Sequence, residues 1–295
     1  MHQAGRGCEV NSGIIYDLSA ADYHADPACS VSALRVIHNK TPHHLAMERR
    51  KPKKITREML LGTLIHDAVL EPEKPKAWLR TPKEIIVPAT YKPSKKDGPQ
   101  PGDVVPWNLR YSFCQDWRDE VERGGVTLLT DDEAGEIQRA VEGVAANPEA
   151  VELLANTKRE VSLFWSLAGG TRCKARLDAL GDRRIPDLKT TDDASEEGFQ
   201  RHAIKMGYHL QAAWYCDAAT LLTDTEYTSF SFIAYERESG LVKVHHATPA
   251  LLEYGRTCYK AALERYVRCE QSGVWEGYGS ACEFDVPRWV RKGEQ

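Results

Sequence analysis

Long hydrophobic runs are missing from this chain: no apolar stretch approaches the ~20 residues that a membrane-spanning helix needs, so a water-soluble protein is expected. The first residues, MHQAGRGCEVNSG, lack a basic segment followed by an apolar one, so no secretory leader is read there and a cytoplasmic location is expected. Closely spaced cysteines are missing too. Cys8, Cys29, Cys114, Cys173, Cys216, Cys258, Cys269 and Cys282 are dispersed without any CxxC, which argues for reduced thiols. The last three lack the short C-x2-C element common in iron–sulfur ligation, and no iron–sulfur cluster is expected. Charge of one sign is not in large excess, and a net charge of -4 neither demands nor excludes a polyanionic partner, because binding needs a local basic face rather than a basic total. There is no internal repeat.

What is present is a globular composition, 42% hydrophobic and 28% charged over 295 residues. A single domain over 1–295 is expected, with an N-terminal helical part over 20–155 and a core over 156–272. Residues 1–30 show little periodicity. Ser30 precedes a short apolar helix, Thr41-Pro42 opens another, and TREMLLGTLIHDAVLEPE reads as an amphipathic helix with Thr56 as its N-cap. Residues 80–106 are rich in proline and read as a long exposed loop, a candidate flap. Helices follow over 107–122, 131–146 and 148–154. The period then falls to two, predicting strands through Val161–Leu167, Cys173–Ala179 and Ile185–Lys189, the first two joined at Gly169-Gly170. Helices return over 196–205 and 208–222, strands over 227–235 and 241–246, and a long helix from Pro249 to about Gln271. The result is a mixed α/β domain.

The basic run Lys40, Arg49, Arg50, Lys51, Lys53, Lys54 and Arg57, opposed only by Glu48, is either a solvated helix end or a track for a phosphate backbone. The chemistry concentrates in CKARLDALGDRRIPDLKTT. Asp187 and Lys189 lie two apart on one strand and so share a face, and a hairpin partner can bring Asp178 beside them. Two carboxylates suit magnesium, with manganese as an alternative, and Lys189 can orient a water or offset developing charge, the requirements of phosphodiester hydrolysis. Taken alone, the same pattern also describes a salt-bridged pair of surface strands.

Four segments in order resemble the exonuclease VIII, or RecE-type, branch of the PD-(D/E)xK nucleases, related to lambda exonuclease and RecB-type nuclease domains. GTLIHDAVLEP is similar to that branch's helical G-x-x-x-H motif and implies His66 as a metal ligand or active-site histidine. REVSLFW supplies Glu160 at an acidic position opening the first core strand. CKARLDALGDRRIPDLKTT supplies Asp178, Asp187 and Lys189, with Asp187 where many members carry Glu. QAAWY supplies Gln211 and Tyr215, which at i and i+4 share one helix face. Trp165, Trp214 and Tyr208 are candidates for base stacking, though aromatic residues at such positions are usually core.

The resemblance implies an α/β restriction-endonuclease-like core, a central mixed sheet flanked by helices. It further implies a metal-dependent exonuclease acting at duplex DNA ends in phage-type recombination, a ring-shaped homo-oligomer, and a single-strand-annealing recombinase as partner. The alternatives are a RecB-like or CRISPR-adaptation-like nuclease on single strands and a catalytically degenerate DNA-binding module.

Overall fold

A computed structural model describes residues 12–52, 55–93 and 98–281. The elements run β1 (Gly13–Ile15), α1 (Ala20–Ala25), β2 (Cys29–Ser30), α2 (Val31–Asn39), α3 (Pro42–Arg50) and α4 (Arg57–Leu70). Next come β3 (Trp78–Arg80), β4 (Glu84–Ile86), β5 (Val104–Pro106), α5 (Ser112–Arg123), β6 (Thr127–Leu129), α6 (Asp131–Ala146) and α7 (Pro148–Leu154). The core then follows as β7 (Lys158–Ser166), β8 (Arg172–Leu180), β9 (Arg184–Thr191), α8 (Glu196–Met206), α9 (Tyr208–Thr223), β10 (Ser229–Glu236), β11 (Val242–His246) and α10 (Pro249–Ser272).

β3 with β6 and β4 with β5 make two-stranded sheets, and seven strands form two mixed sheets side by side, ordered β1-β7-β8-β2 and β11-β10-β9, with β2 parallel to β8 and β9 parallel to β10. Between them, β8 turns into β9 through a bond from Gly181 N–H to the Arg184 carbonyl. Among the described residues no β8–β9 ladder forms. The carboxylate of Asp178 takes the Leu188 N–H instead, at 2.8 Å, where a strand carbonyl would otherwise sit. The seam between the sheets is therefore held by a side chain.

Alternation along the strands sends side chains into two apolar layers. Ile185, Phe230, Phe232 and Ala234 pack with α2, α9 and α10, whereas Leu188, Ile233 and Tyr235 pack with α4, α6 and α7. Helix starts follow the capping rules. Thr41, Thr56 and Thr130 each accept a backbone N–H, and Thr130 with Glu133 completes a capping box; Ser30 makes no such side-chain bond.

Three expectations need correction. Within the long exposed loop expected over 80–106, whose residues 94–97 lie outside the described ones, β4 and β5 pair antiparallel, and Ile85, Val105 and Trp107 pack against Val87 and Phe113, because enough apolar residues interrupt the prolines to build a small core. The helix expected from Trp107 starts at Ser112. Within the weakly patterned first 30 residues, β1 adds to β7 and Ser19 caps α1. No helix among the described residues is long and apolar enough to cross a membrane.

Candidate active site

Period-two geometry places Asp187 and Lys189 on one face of β9, and their side chains form an ion pair through Asp187 Oδ2. The other oxygen, Oδ1, accepts a hydrogen bond of 2.8 Å from Nε2 of Gln211 on α9. Asp187 is thereby gripped from two sides while fully buried, 0% exposed. Asp178 on β8 approaches across the seam, and Nδ1 of His66, projecting from α4, lies 3.5 Å from its Oδ2.

Burial governs the electrostatics. Desolvation pushes the carboxyls of Asp178 and Asp187 up to about 6, against the pull of the Lys189 ammonium. Burial alone would lower Lys189, but Asp187 and Asp178 outweigh it and hold the ammonium above its ordinary range. His66 is pushed down by burial and by Lys189. Burial is the largest cause in both carboxyls, and a bound cation would offset it. Oxygen donors from Asp178 and Asp187, with the His66 imidazole, fit a hard divalent cation such as magnesium or manganese and could hold it.

Glu160 on β7 stands level with Asp178 in the β7–β8 register, and the regular pairing is found only on either side of that level. Its φ is 52°, a left-handed conformation that is uncommon and costly for a residue with a side chain. The strain turns its carboxylate toward Arg176, whose Nε donates to Oε2 at 2.7 Å. Arg176 is anchored in turn by Ser162 Oγ at 2.8 Å and the Leu18 carbonyl at 2.9 Å. Tyr215, one turn beyond Gln211 on α9, is buried, and that burial together with Tyr23, Asp187 and Asp178 pushes its hydroxyl well above the usual range. Glu160, Asp178 and Tyr215 line a cavity of about 770 Å³ that is also walled by Tyr23, Arg49, Lys174 and Arg176.

All seven residues singled out in the sequence, His66, Glu160, Asp178, Asp187, Lys189, Gln211 and Tyr215, thus meet around the seam and its cavity. Others went unrecognised. Lys174 and Arg176 precede Asp178 at steps of two, so strand alternation already aligned them with it. Arg35 had no local signal; from α2 its Nη2 donates to Gln211 Oε1 at 2.5 Å, fixing which end of the amide meets Asp187. Tyr208 lies under the Lys189 ammonium, 4.9 Å from the ring centre. Trp165 and Trp214 are core residues, their rings packed at a 47° tilt with centres 4.8 Å apart, and are not placed to meet a base. In the basic run, Arg49 reaches the cavity, whereas Arg57 is paired with Glu133, and Lys53 and Lys54 lie outside the described residues. Cys282 also lies outside them.

Residues 110–285 match a family described as a PDDEXK-like domain of unknown function, DUF3799. The chain belongs to this family. Asp178, Asp187, Lys189, Glu160, Gln211 and Tyr215 fall inside the match, while His66 precedes it. The PDDEXK-like fold is also seen in a crystal structure of a protein from Eubacterium rectale described provisionally as an exonuclease. It superposes with a TM-score of 0.60 at 12% identity, covering 95% of this chain and 99% of that one. A second solved structure, SSO0001, matches at a TM-score of 0.25 and 15% identity, over 46% of this chain and 68% of that one, too weakly to carry an argument. No curated protein matches the sequence.

Proposed function

We propose that this PDDEXK-like protein is a divalent-metal-dependent deoxyribonuclease that hydrolyses phosphodiester bonds. The observation that carries the reading is the convergence of Asp178, Asp187 and Lys189 in one desolvated cluster, opening on a cavity with Arg49, Lys174 and Arg176 in its wall. When bound, magnesium or manganese supplies Lewis acidity at the phosphoryl oxygen and a more acidic water.

The protein's own groups do the rest. The Leu188 N–H and the Gln211 amide orient the two carboxylates. The Lys189 ammonium, held beside Asp187, can orient the attacking water or offset charge that builds on the phosphate. Lys174 is engaged by the Tyr23 and Asp26 carbonyls and Arg176 by Glu160, so Arg49 is the wall cation placed to meet a nucleic-acid backbone.

Exonucleolytic action at duplex ends is the preferred mode, supported by the RecE-type motif order and by the description of the Eubacterium rectale relative in fold. On the same basis we assign the protein to phage-type recombination in the cytoplasm, as a ring-shaped homo-oligomer working with a single-strand-annealing recombinase.

The test uses end-labelled linear duplex, circular duplex and single-stranded DNA with magnesium, manganese or chelator, beside folded Asp187→Ala and Lys189→Ala proteins. Metal-dependent release of nucleotides from linear duplex, lost in both variants, is the expected result. Cutting confined to single strands moves the protein to a RecB-like role. Binding of DNA without any cleavage overturns the catalytic reading and leaves a degenerate binding module.

A further inference from the structure

On the face of α9 turned away from Asp187, a second group of ligating side chains comes together. His209 and Gln211 are two residues apart, hence about 200° apart around the helix, so while Gln211 points to the seam His209 points to α2 and α10. There one ligand atom each from His209, from His38 at the end of α2 and from Cys258 on α10 lie within 4.8 Å of one another. His38 is the most exposed of the three; His209 is 2% exposed and Cys258 7%.

The imidazole of His209 is the anomaly. Neither Nδ1 nor Nε2 has a hydrogen-bond partner, although the ring is buried against Tyr254, with ring centres 5.0 Å apart, and meets His38 edge-on at 5.9 Å. Buried polar atoms are nearly always paired, and one left unpaired lowers stability unless something else engages it. The backbones of α9 and α10 approach closely here, a Cβ on Gly255 falling 2.1 Å from the His209 carbonyl oxygen. An apolar side chain would fill the same space without leaving two nitrogens unpaired.

We propose that His38, His209 and Cys258 form a binding site for a borderline-soft divalent cation of the zinc class, tying α2, α9 and α10 together. Two imidazoles and a thiolate are the donors such ions prefer, and magnesium does not. Tetrahedral bonds of about 2.0 Å to nitrogen and 2.3 Å to sulfur set the ligand atoms roughly 3.3–3.6 Å apart, so closure onto an ion needs only a small inward movement. The solvent-facing side at His38 leaves the fourth position to water. The site is separate from the seam: no residue is shared, and its donor set is softer than that of Asp178 and Asp187. It gives the helix that carries Gln211 and Tyr215 a metal-dependent anchor.

Cobalt(II) is the probe, because a thiolate–cobalt bond gives a near-ultraviolet charge-transfer band and tetrahedral cobalt gives intense visible bands, neither of which an oxygen-ligated ion at the seam produces. Metal-stripped, reduced full-length protein is titrated with cobalt beside Cys258→Ser and His38→Ala, with circular dichroism to confirm folding. The expected result is a charge-transfer band saturating at one cobalt per chain and bleached by equimolar zinc. The band should be absent in Cys258→Ser, and in His38→Ala it should be weakened together with the visible bands. No band in the wild-type protein, or a band unchanged in either variant, overturns the proposal. His38 is the safe position for substitution, since it lies at the solvent edge of the cluster. DNA cleavage is not the readout, so failure here leaves the nuclease reading untouched.

Discussion

Gln211 holds Asp187 by a 2.8 Å hydrogen bond from its amide nitrogen, and the opposite end of the same amide is fixed by Arg35. Three elements, α2, α9 and β9, therefore determine where one carboxylate oxygen points.

Replacing Gln211 by Ala should lower DNA cleavage or apparent metal affinity roughly 10- to 100-fold, the usual cost of losing a group that orients a ligand. Titrating activity against magnesium checks this. Wild-type turnover and wild-type metal dependence in Gln211→Ala would remove Gln211 from the site.

The Asp178 carboxyl, pushed up to about 6 by burial, makes a prediction about pH. A folded-state value above the unfolded one means the folded protein binds more protons, so this stabilising contribution is full below about pH 4 and is lost as pH rises through about 6. In chelator, Asp178→Asn should therefore unfold with less pH dependence than wild type. At neutral pH it should be more stable, on the order of 1–3 kcal/mol, while losing cleavage. Asn can still accept the Leu188 N–H, so the seam survives. Denaturant unfolding across this range decides the matter, and a variant less stable than wild type at neutral pH counts against the desolvation argument.

Glu160 combines a strained backbone, φ 52°, with an ion pair to Arg176. Glu160→Gly and Glu160→Ala should both lose activity, because each removes the carboxylate. Their stabilities should differ, with Gly the more stable by about 1 kcal/mol since it adopts the left-handed conformation without a Cβ penalty. Equal urea midpoints and slopes would show that the strain is relaxed in solution.

Arg49 and Arg57 belong to the same basic run but have different tasks. Arg49 faces the cavity and is held over Tyr266 and Trp275, whereas Arg57 makes two 2.6 Å bonds to Glu133. Arg49→Ala should weaken DNA binding across sequences and reduce the slope of log affinity against log salt by about 1. Arg57→Ala should leave that slope unchanged and cost roughly 0.2–1 kcal/mol of stability, the scale of a partly exposed pair. Binding isotherms at several salt concentrations separate the two, and identical slopes for both variants would contradict the assignment.

Local pattern made much of the fold readable. The alternation in VSLFW and CKARLDAL reflects strands with one face in an apolar layer, and Thr41, Thr56 and Thr130 announce helix starts because their hydroxyls satisfy backbone N–H groups that no turn precedes. The pattern failed where structure is borrowed from distant segments. β1 is three residues long and exists by pairing Ile14 with Leu163, and β4 gains its order from β5 and from Phe113 on α5.

By itself the sequence determined the period of each core element, the identities of the acidic, basic and imidazole groups, and the sharing of a face by Asp187 and Lys189, since these follow from geometry within a few residues. Tertiary structure alone decided that Asp178 closes the seam with the Leu188 N–H, that Arg35 orients Gln211, and that His38, His209 and Cys258 meet on the far side of α9. Such contacts join residues far apart along the chain, and their positions are set by how whole helices and sheets pack, which no local period encodes.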